Sequence, residues 1–312
     1  MPSAGTADRL LLLDTASLYF RAFFGVPDSV RAPDGTPVNA VRGLLDFITR
    51  LCTQYSPTHL ACCWDEDWRP QWRVDLIPTY KAHRVVTELP GAVDVEQTPG
   101  ALEAQVPVIR EVLAALGAPV VGAPGYEADD VIGTLATDAG MPVDIVTGDR
   151  DLFQLVDDAQ EVRVLYTARG VGKHEVLTDP SVVRRYGILP EQYADYATLR
   201  GDSSDGLPGV AGVGEKTAAG LLAAHGDLQS IIAAAADGSS GLSPTVRRRI
   251  TEAADYLRVA PTVVAVCREL DLGSPDLSLP DPVPADAAGF ERLTERWGLG
   301  SSAERVVTAL RR

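Results

Sequence analysis

The sequence predicts an α/β fold: a mainly parallel sheet flanked by helices, followed by a helical region. Three observations carry that prediction. Short apolar runs recur through the first half of the chain, and three of them end in Asp. Stretches of helical periodicity lie between the runs. After Tyr186 the strand-like runs stop and the pattern turns helical.

Leu10 to Leu13 reads as a short buried strand ending in Asp14. Ser17 to Phe24 has a helical pattern and carries Arg21, and Arg31 to Pro37 is a Pro/Asp/Gly turn. Val41 to Leu51 is helical. A second strand, His59 to Trp64, ends in Asp65. The span 68–100 reads as irregular, being aromatic, basic and broken by Pro70, Pro78, Pro90 and Pro99. Connections this long inside a domain are usually functional or disordered. Pro107 to Leu116 is helical, Pro119 to Val121 is a short strand, and Pro142 to Gly148 is a strand ending in Asp149 with Asp151 just beyond.

Gly125-Tyr126-Glu127-Ala128-Asp129-Asp130 is the most informative stretch. Three carboxylates crowd into residues 127–130 ahead of an apolar helical pattern. They repel and raise one another's pKa. A helix N-terminus tolerates them, and a solvated first turn is the plain alternative reading. In an open parallel sheet, however, ligands bind at the carboxyl ends of the strands. Asp14, Asp65, Asp149 and this cluster would then converge on one edge, where unpaired carboxylates need cations. Oxygen donors suit hard ions, so Mg²⁺ or Mn²⁺ is expected.

A second stretch, Leu199 to Ala218, holds Asp202, Asp205 and a glycine-rich turn with Gly209, Gly212 and Gly214. A helix begins near Glu215 and runs through Leu222. Such a turn lets backbone N–H groups reach a phosphate, and Lys216 adds charge. The spacing is not that of a nucleotide P-loop. Residues 237–243 read as a Gly/Ser linker, 274–288 as an extended segment and 290–310 as a short helical tail.

The 312 residues are 46% hydrophobic and 23% charged, a soluble composition. There is no signal peptide and no membrane-length apolar run, so a cytoplasmic location without membrane association is expected. Scattered histidines and the spacing of Cys52, Cys62, Cys63 and Cys267 argue against a zinc site, and Cys62 and Cys63 read as buried. The net charge of −15 argues against nucleic acid, but Arg69, Arg73, Lys81 and Arg84, and the run Arg247–Arg249, form basic islands.

With Asp14, Asp65, Tyr80-Lys81 and Arg84, the Gly125–Asp130 stretch, Thr147–Leu152, and Gly201–Asp205 with its glycine turn, the chain resembles the bacterial 5′-nuclease (flap endonuclease) family. The likeness spans roughly Leu10 to Leu270 and is nearest the 5′→3′ exonuclease domain of DNA polymerase I, here as a stand-alone protein. It implies a PIN-like core over 1–185 that includes a helical arch at 68–100. It also implies a helical DNA-binding module over 186–312, with a helix–three-turn–helix hairpin at 205–220.

The resemblance further implies the roles. Asp14, Asp65, Glu127, Asp129, Asp130, Asp149, Asp151, Asp202 and Asp205 would bind two or three Mg²⁺ or Mn²⁺ ions. Lys81 and Arg84 would face the scissile phosphate, and Arg21, Arg73 and Tyr80 would touch DNA. Gly209, Gly212, Gly214, Lys216 and Thr217 would grip a duplex backbone, with K⁺ in the hairpin. Ions about 4 Å apart can activate a water and stabilise the leaving oxygen. The implied partners of this monomer are branched or 5′-flap DNA and RNA primer ends. A catalytically silent branched-DNA-binding protein and a PIN-type ribonuclease are the alternatives. Two departures stand out: Thr15 where the family has Gly, which would crowd DNA, and Gly206 where it commonly has Asn.

Overall fold

Strand β1 (Leu10–Asp14) is buried along its whole length because both of its faces are covered. The computed structural model describes residues 8–89, 93–238 and 241–311. β1 pairs in parallel with β2 (His59–Trp64) on one side and with β6 (Val143–Thr147) on the other. Two short strands from the span 68–100, β3 (Val85–Thr87) and β4 (Val95–Glu96), form a separate antiparallel ribbon. β5 (Val120–Gly122) pairs with β2, and β7 (Val162–Tyr166) with β6, again in parallel. β8 (Glu175–Leu177) is an antiparallel edge. The sheet order is β5-β2-β1-β6-β7-β8. The chain first builds outward through β2 and β5, then crosses β1 to continue with β6. A crevice at the carboxyl ends of β1, β2 and β6 follows from that reversal.

Alternation along β1 assigns its side chains to two cores. Leu11 and Leu13 face α1 (Thr15–Gly25), α2 (Asn39–Tyr55) and α5 (Val106–Leu116). Leu10 and Leu12 belong to the other core, with α6 (Ala128–Ala136) and most of the later helices. Near-continuous apolar strands are what a sheet covered on both faces requires. Cys62 and Cys63 are fully buried on β2, as expected.

The described residues of the span 68–100 are more ordered than its prolines suggest; Pro90 lies outside the described residues. Besides β3 and β4 it holds α3 (Gln71–Leu76) and a 3₁₀ turn at Ala82–Arg84, and α4 (Gly100–Glu103) follows. Buried polar contacts replace the missing apolar periodicity: Arg69 pairs with Asp94 at 2.5 Å and donates to the Tyr80 carbonyl at 2.7 Å. Beyond β8 come α7 (Asp179–Tyr186), α8 (Tyr193–Arg200), α9 (Glu215–His225), α10 (Leu228–Ala236), α11 (Pro244–Glu252) and α12 (Ala254–Val264). α8 to α12 share one apolar core with α6 and the sheet.

The expected helical tail is instead structural. Helices α13 (Ala287–Trp297) and α14 (Gly300–Leu310) return to the first half of the chain, where Phe290, Leu299, Val306 and Leu310 join the core of α2 and α5. Their apolar residues carry no strand signal and gave no hint of a long-range partner. Among the described residues no helix is long and apolar enough to cross a membrane. Leu299 is fully buried, so Leu299→Ala should lower the unfolding free energy by about 2–5 kcal/mol in urea titration. A loss within experimental error would mean that the C-terminal helices are peripheral.

Candidate active site

Each predicted strand end delivers its carboxylate to the crevice, and a backbone N–H anchors each of them. Asp14 closes β1 and caps α1: Oδ1 accepts from Ser17 N–H at 3.1 Å and Oδ2 from the Thr147 hydroxyl at 2.7 Å. Asp65 follows β2 and accepts from Ala128 N–H at 2.8 Å, which ties β2 to the start of α6. Glu127 caps α6 and Asp129 lies in its first turn. Asp149 follows β6 and accepts from Asp151 N–H at 2.9 Å. Asp14, Asp65, Glu127, Asp129 and Asp149, with Lys81 and Arg84, line one cleft of about 1080 Å³. Asp151, Asp202 and Asp205 lie near Asp149 and act on one another electrostatically.

Burial dominates the protonation of this group. It pushes Asp14 up to about 6 against the hydrogen bonds from Thr147 and Ser17. It pushes Asp65 up to about 7, with the charges of Asp14 and Glu127 adding to it. Burial and the adjacent Asp149 hold Asp129 and Asp151 well above the usual carboxylate range. Asp205 is raised by burial in spite of Lys81. For Asp202 burial is outweighed by hydrogen bonds from Ser204 and by Arg200 and Arg150, so its carboxyl sits below the ordinary value.

Among the described residues no three His, Cys, Asp or Glu side chains are drawn together closely enough to hold an ion as they stand. The donor chemistry nevertheless fits hard divalent ions. The donors are all carboxylate oxygens, most are desolvated, and Asp151 Oδ1 is buried with no hydrogen-bond partner.

Several predicted residues take other roles. Arg73 is not a DNA contact. It is 2% exposed; its guanidinium is ion-paired with Glu127 and bidentate to Asp130 at 2.7 and 2.9 Å, and it donates to the Val263 carbonyl at 3.1 Å. Asp130 is correspondingly not a ligand facing the cleft. It is fully buried, paired with Arg73 and bonded by Cys267 N–H at 2.9 Å. Helical spacing puts Asp130 on the inner face of α6 and Asp129 on the open one. Tyr80 offers no stacking face: it is 3% exposed and donates to Glu127 Oε2 at 2.6 Å. Thr15 is buried with its hydroxyl on the Leu13 carbonyl, so it cannot crowd the cleft.

Lys81 and Arg84 are placed as predicted, but both are engaged. Lys81 Nζ is ion-paired with Glu127 Oε1, and Arg84 Nη2 lies 3.2 Å from Asp205. Backbone contacts bolt this segment to the Asp205 loop: Lys81 N–H donates to the Asp205 carbonyl at 2.9 Å and the Thr79 hydroxyl to the Gly206 carbonyl at 2.8 Å. Gly206 has φ +71°, and a Cβ there would fall 2.1 Å from the Thr79 carbonyl oxygen. The departure at position 206 thus permits this close docking. Arg21 lines the cleft and reaches the Ala168 carbonyl at 3.4 Å rather than an acid.

Gly209 and Gly212 take positive φ in the turn before α9. Gly214 precedes the helix, and Lys216 and Thr217 sit in its first turn. Arg249, from the second basic run, donates to the Gly212 carbonyl at 2.9 Å. Sequence reasoning did not place it there. It also missed Glu96, which lies in the cleft on β4, within a span that carried no readable strand pattern.

Comparison with known proteins agrees with this architecture. Residues 9–187 match the model of the 5′-3′ exonuclease N-terminal resolvase-like domain, and residues 188–282 match the 5′-3′ exonuclease C-terminal SAM fold. This chain belongs to the 5′-3′ exonuclease family. A Streptomyces coelicolor 5′-3′ exonuclease is 60% identical, covering 96% of this chain and 99% of the relative. A Mycobacterium tuberculosis 5′-3′ exonuclease is 51% identical over 96% and 97%. A Mycobacterium tuberculosis DNA polymerase I is 44% identical over 74% of this chain but only 25% of the polymerase. Among solved structures, T5 5′-exonuclease with bound zinc superposes with a TM-score of 0.65 at 16% identity, over 97% and 98%. The catalytic core of Rad2 with a DNA substrate gives 0.61 at 16%, over 97% and 93%. These likenesses support the fold, PIN-like with a SAM-like helical part. The protein is a nuclease.

Two outcomes follow. Removing one partner of a buried ion pair costs about 3–5 kcal/mol, so Arg73→Gln should destabilise the chain by that amount in urea. A loss below about 1 kcal/mol would restore a surface role. Second, the folded chain keeps Asp14 and Asp65 protonated to higher pH than the unfolded chain, whose value is 3.8. The folded state therefore binds more protons between about pH 4 and 7, and the stability of ion-free protein falls as pH rises through that window. In chelator, Asp65→Asn should melt above the parent at pH 7.5, with a narrower gap at pH 5. A gap that widens toward pH 5 would contradict the assignment.

Proposed function

We propose that this nuclease is a structure-specific 5′-flap endonuclease and 5′→3′ exonuclease that hydrolyses DNA phosphodiesters with two or three divalent ions, Mg²⁺ or Mn²⁺. The observation that carries the reading is that five carboxylates and the cations Lys81 and Arg84 share one cleft. Flap and primer-end removal in replication and repair is the corresponding role, with branched DNA and RNA primer ends as partners of a cytoplasmic monomer.

In this reading Asp14, Asp65, Glu127, Asp129 and Asp149 hold ions on one side, and Asp151, Asp202 and Asp205 on the other. Bound divalent ions supply water activation and charge neutralisation at the phosphate. Lys81 and Arg84 stabilise charge on the non-bridging oxygens as it grows. Both must exchange partners to do so. Lys81 leaves Glu127 for the phosphate, which frees Oε1, and Arg84 leaves Asp205. Glu127 stays positioned through Arg73 and Tyr80, and Asp65 through Ala128 N–H. The Gly209–Lys216 turn takes the duplex backbone through its N–H groups, with K⁺ held there, while Arg249 braces it. Backbone contacts of this kind select shape over sequence.

A 5′-labelled double-flap DNA with Mg²⁺, Mn²⁺ or EDTA tests the reading. Cleavage near the flap junction should require the metal. Asp149→Ala should abolish it, and Lys81→Ala should slow it by roughly 100-fold or more, the scale of a lost oxyanion donor. Tight flap binding without cleavage in either metal would leave a branched-DNA-binding protein. Faster cleavage of an RNA flap would favour the ribonuclease.

A further inference from the structure

Asp151 opens the 3₁₀ turn Asp151–Leu155, and Phe153 packs that turn onto α8. The ring it meets is Tyr193, the first residue of α8, which is fully buried. Phe153, Tyr186 and Tyr196 surround the Tyr193 ring, with centroids 5.5, 5.5 and 5.9 Å away. Packing from these three rings fixes the place of its hydroxyl. That hydroxyl has no hydrogen-bond partner among the described residues. Buried polar groups are rarely left so, and each exception calls for a physical reason.

The reason lies with its neighbour. Asp151 Oδ1 is likewise buried without a partner among the described residues. Of the charges acting on the Tyr193 phenol, that of Asp151 is the largest. Burial and that charge hold the phenol above its ordinary value, so it stays protonated and neutral. The nearby guanidinium groups are engaged elsewhere: Arg150 and Arg200 pair with Asp202 at 3.5 and 2.8 Å. Tyr193 and Asp151 are thus electrostatic neighbours that do not bond each other directly, and a small group between them can serve both. Water bridges buried polar groups in this way. Hard divalent ions keep waters in their shells, and outer partners of such a shell orient it and tune the affinity. A phenol oxygen accepts a hydrogen bond there without adding a negative charge to a site already crowded with carboxylates.

We propose that Tyr193 is a positioning residue for the divalent ion on the Asp151 side of the cleft: its hydroxyl holds a water of that ion's hydration shell, which Asp151 Oδ1 holds from the other side. This rests on the divalent-ion reading of the site and adds one neutral oxygen to its carboxylates. Losing an outer partner of this kind weakens metal binding by roughly 10- to 100-fold. In the ion-free chain the same hydroxyl is an unsatisfied buried group and a burden on folding. Removing it therefore has two effects of opposite sign.

Tyr193→Phe removes the oxygen and keeps the ring. In chelator the variant should melt at or above the parent temperature, since no unpaired hydroxyl remains buried. In calorimetric titration with Mn²⁺ it should bind one class of ion at least 10-fold more weakly, with the remaining binding unchanged. Asp151→Asn should weaken the same class, and the double variant should lose no more than Asp151→Asn alone. Tyr196→Phe is the control. It belongs to the same cluster, but its hydroxyl answers to Glu215 and Arg200, and it should bind Mn²⁺ like the wild type. Cleavage of flap DNA by Tyr193→Phe should fall at limiting Mn²⁺ and recover at saturating Mn²⁺, with KM for the DNA unchanged. Wild-type Mn²⁺ affinity in Tyr193→Phe, or equal weakening in Tyr196→Phe, would overturn the proposal and leave the divalent-ion reading intact. So would a lower melting temperature in chelator, since the hydroxyl would then serve the fold. A wild type that binds no Mn²⁺ would overturn both.

Discussion

Placing Asp14 and Asp65 at the ends of adjacent parallel strands, with Asp129 and Glu127 at the head of the next helix, sets several negative charges in a space that burial has largely dried. Protonation, hydrogen bonding or a cation can relieve the repulsion, and the chain uses all three. Burial raises the pKa of Asp14 and Asp65 toward neutrality. Ser17, Thr147 and Ala128 donate to individual oxygens. Lys81 brings a positive charge to Glu127. Much of the remaining structure can be read as support for this arrangement. The two-sided core fixes the strand ends, and α6 is locked to β2 through the Asp65–Ala128 bond.

The segment bearing Lys81 and Arg84 shows how the cationic side of the cleft is supplied. Ile77 and Tyr80 anchor it in the core, and polar contacts hold the rest of it. Arg69 gathers the Tyr80 carbonyl and Asp94, and Arg73 reaches across to α6. The docking at Gly206 carries the same segment to the Asp205 loop. The consequence is a cleft whose cations and carboxylates are positioned by one continuous set of contacts. A substitution in the segment should be felt on both sides of the site.

Much of the sheet was legible in the sequence because its signal is local: Leu10–Leu13 and Leu60–Trp64 are unbroken apolar runs followed directly by Asp14 and Asp65, and Val143–Thr147, apolar but for Asp144 and Thr147, is followed closely by Asp149. The convergence of Asp14, Asp65, Glu127, Asp129 and Asp149 followed from strand-end geometry alone. What was not legible depended on partners distant in sequence. Arg73, Tyr80 and Asp130 carry residue types that suit a nucleic-acid or metal site. They are buried only because α3 packs on α6 and α12, which no local pattern announces. Nor did the spacing of Phe290, Leu299 and Val306 reveal that they complete the core of α2.

The central claim, that buried carboxylates at the strand ends await divalent cations, is tested most directly by titrating DNA-free protein with Mn²⁺ at pH 7 in two buffers of different ionisation enthalpy. The account predicts at least two bound ions and a buffer-dependent heat that reports proton release, because Asp14 and Asp65 begin partly protonated. No saturable binding, or binding with no proton release and undiminished by Asp65→Asn, would contradict it.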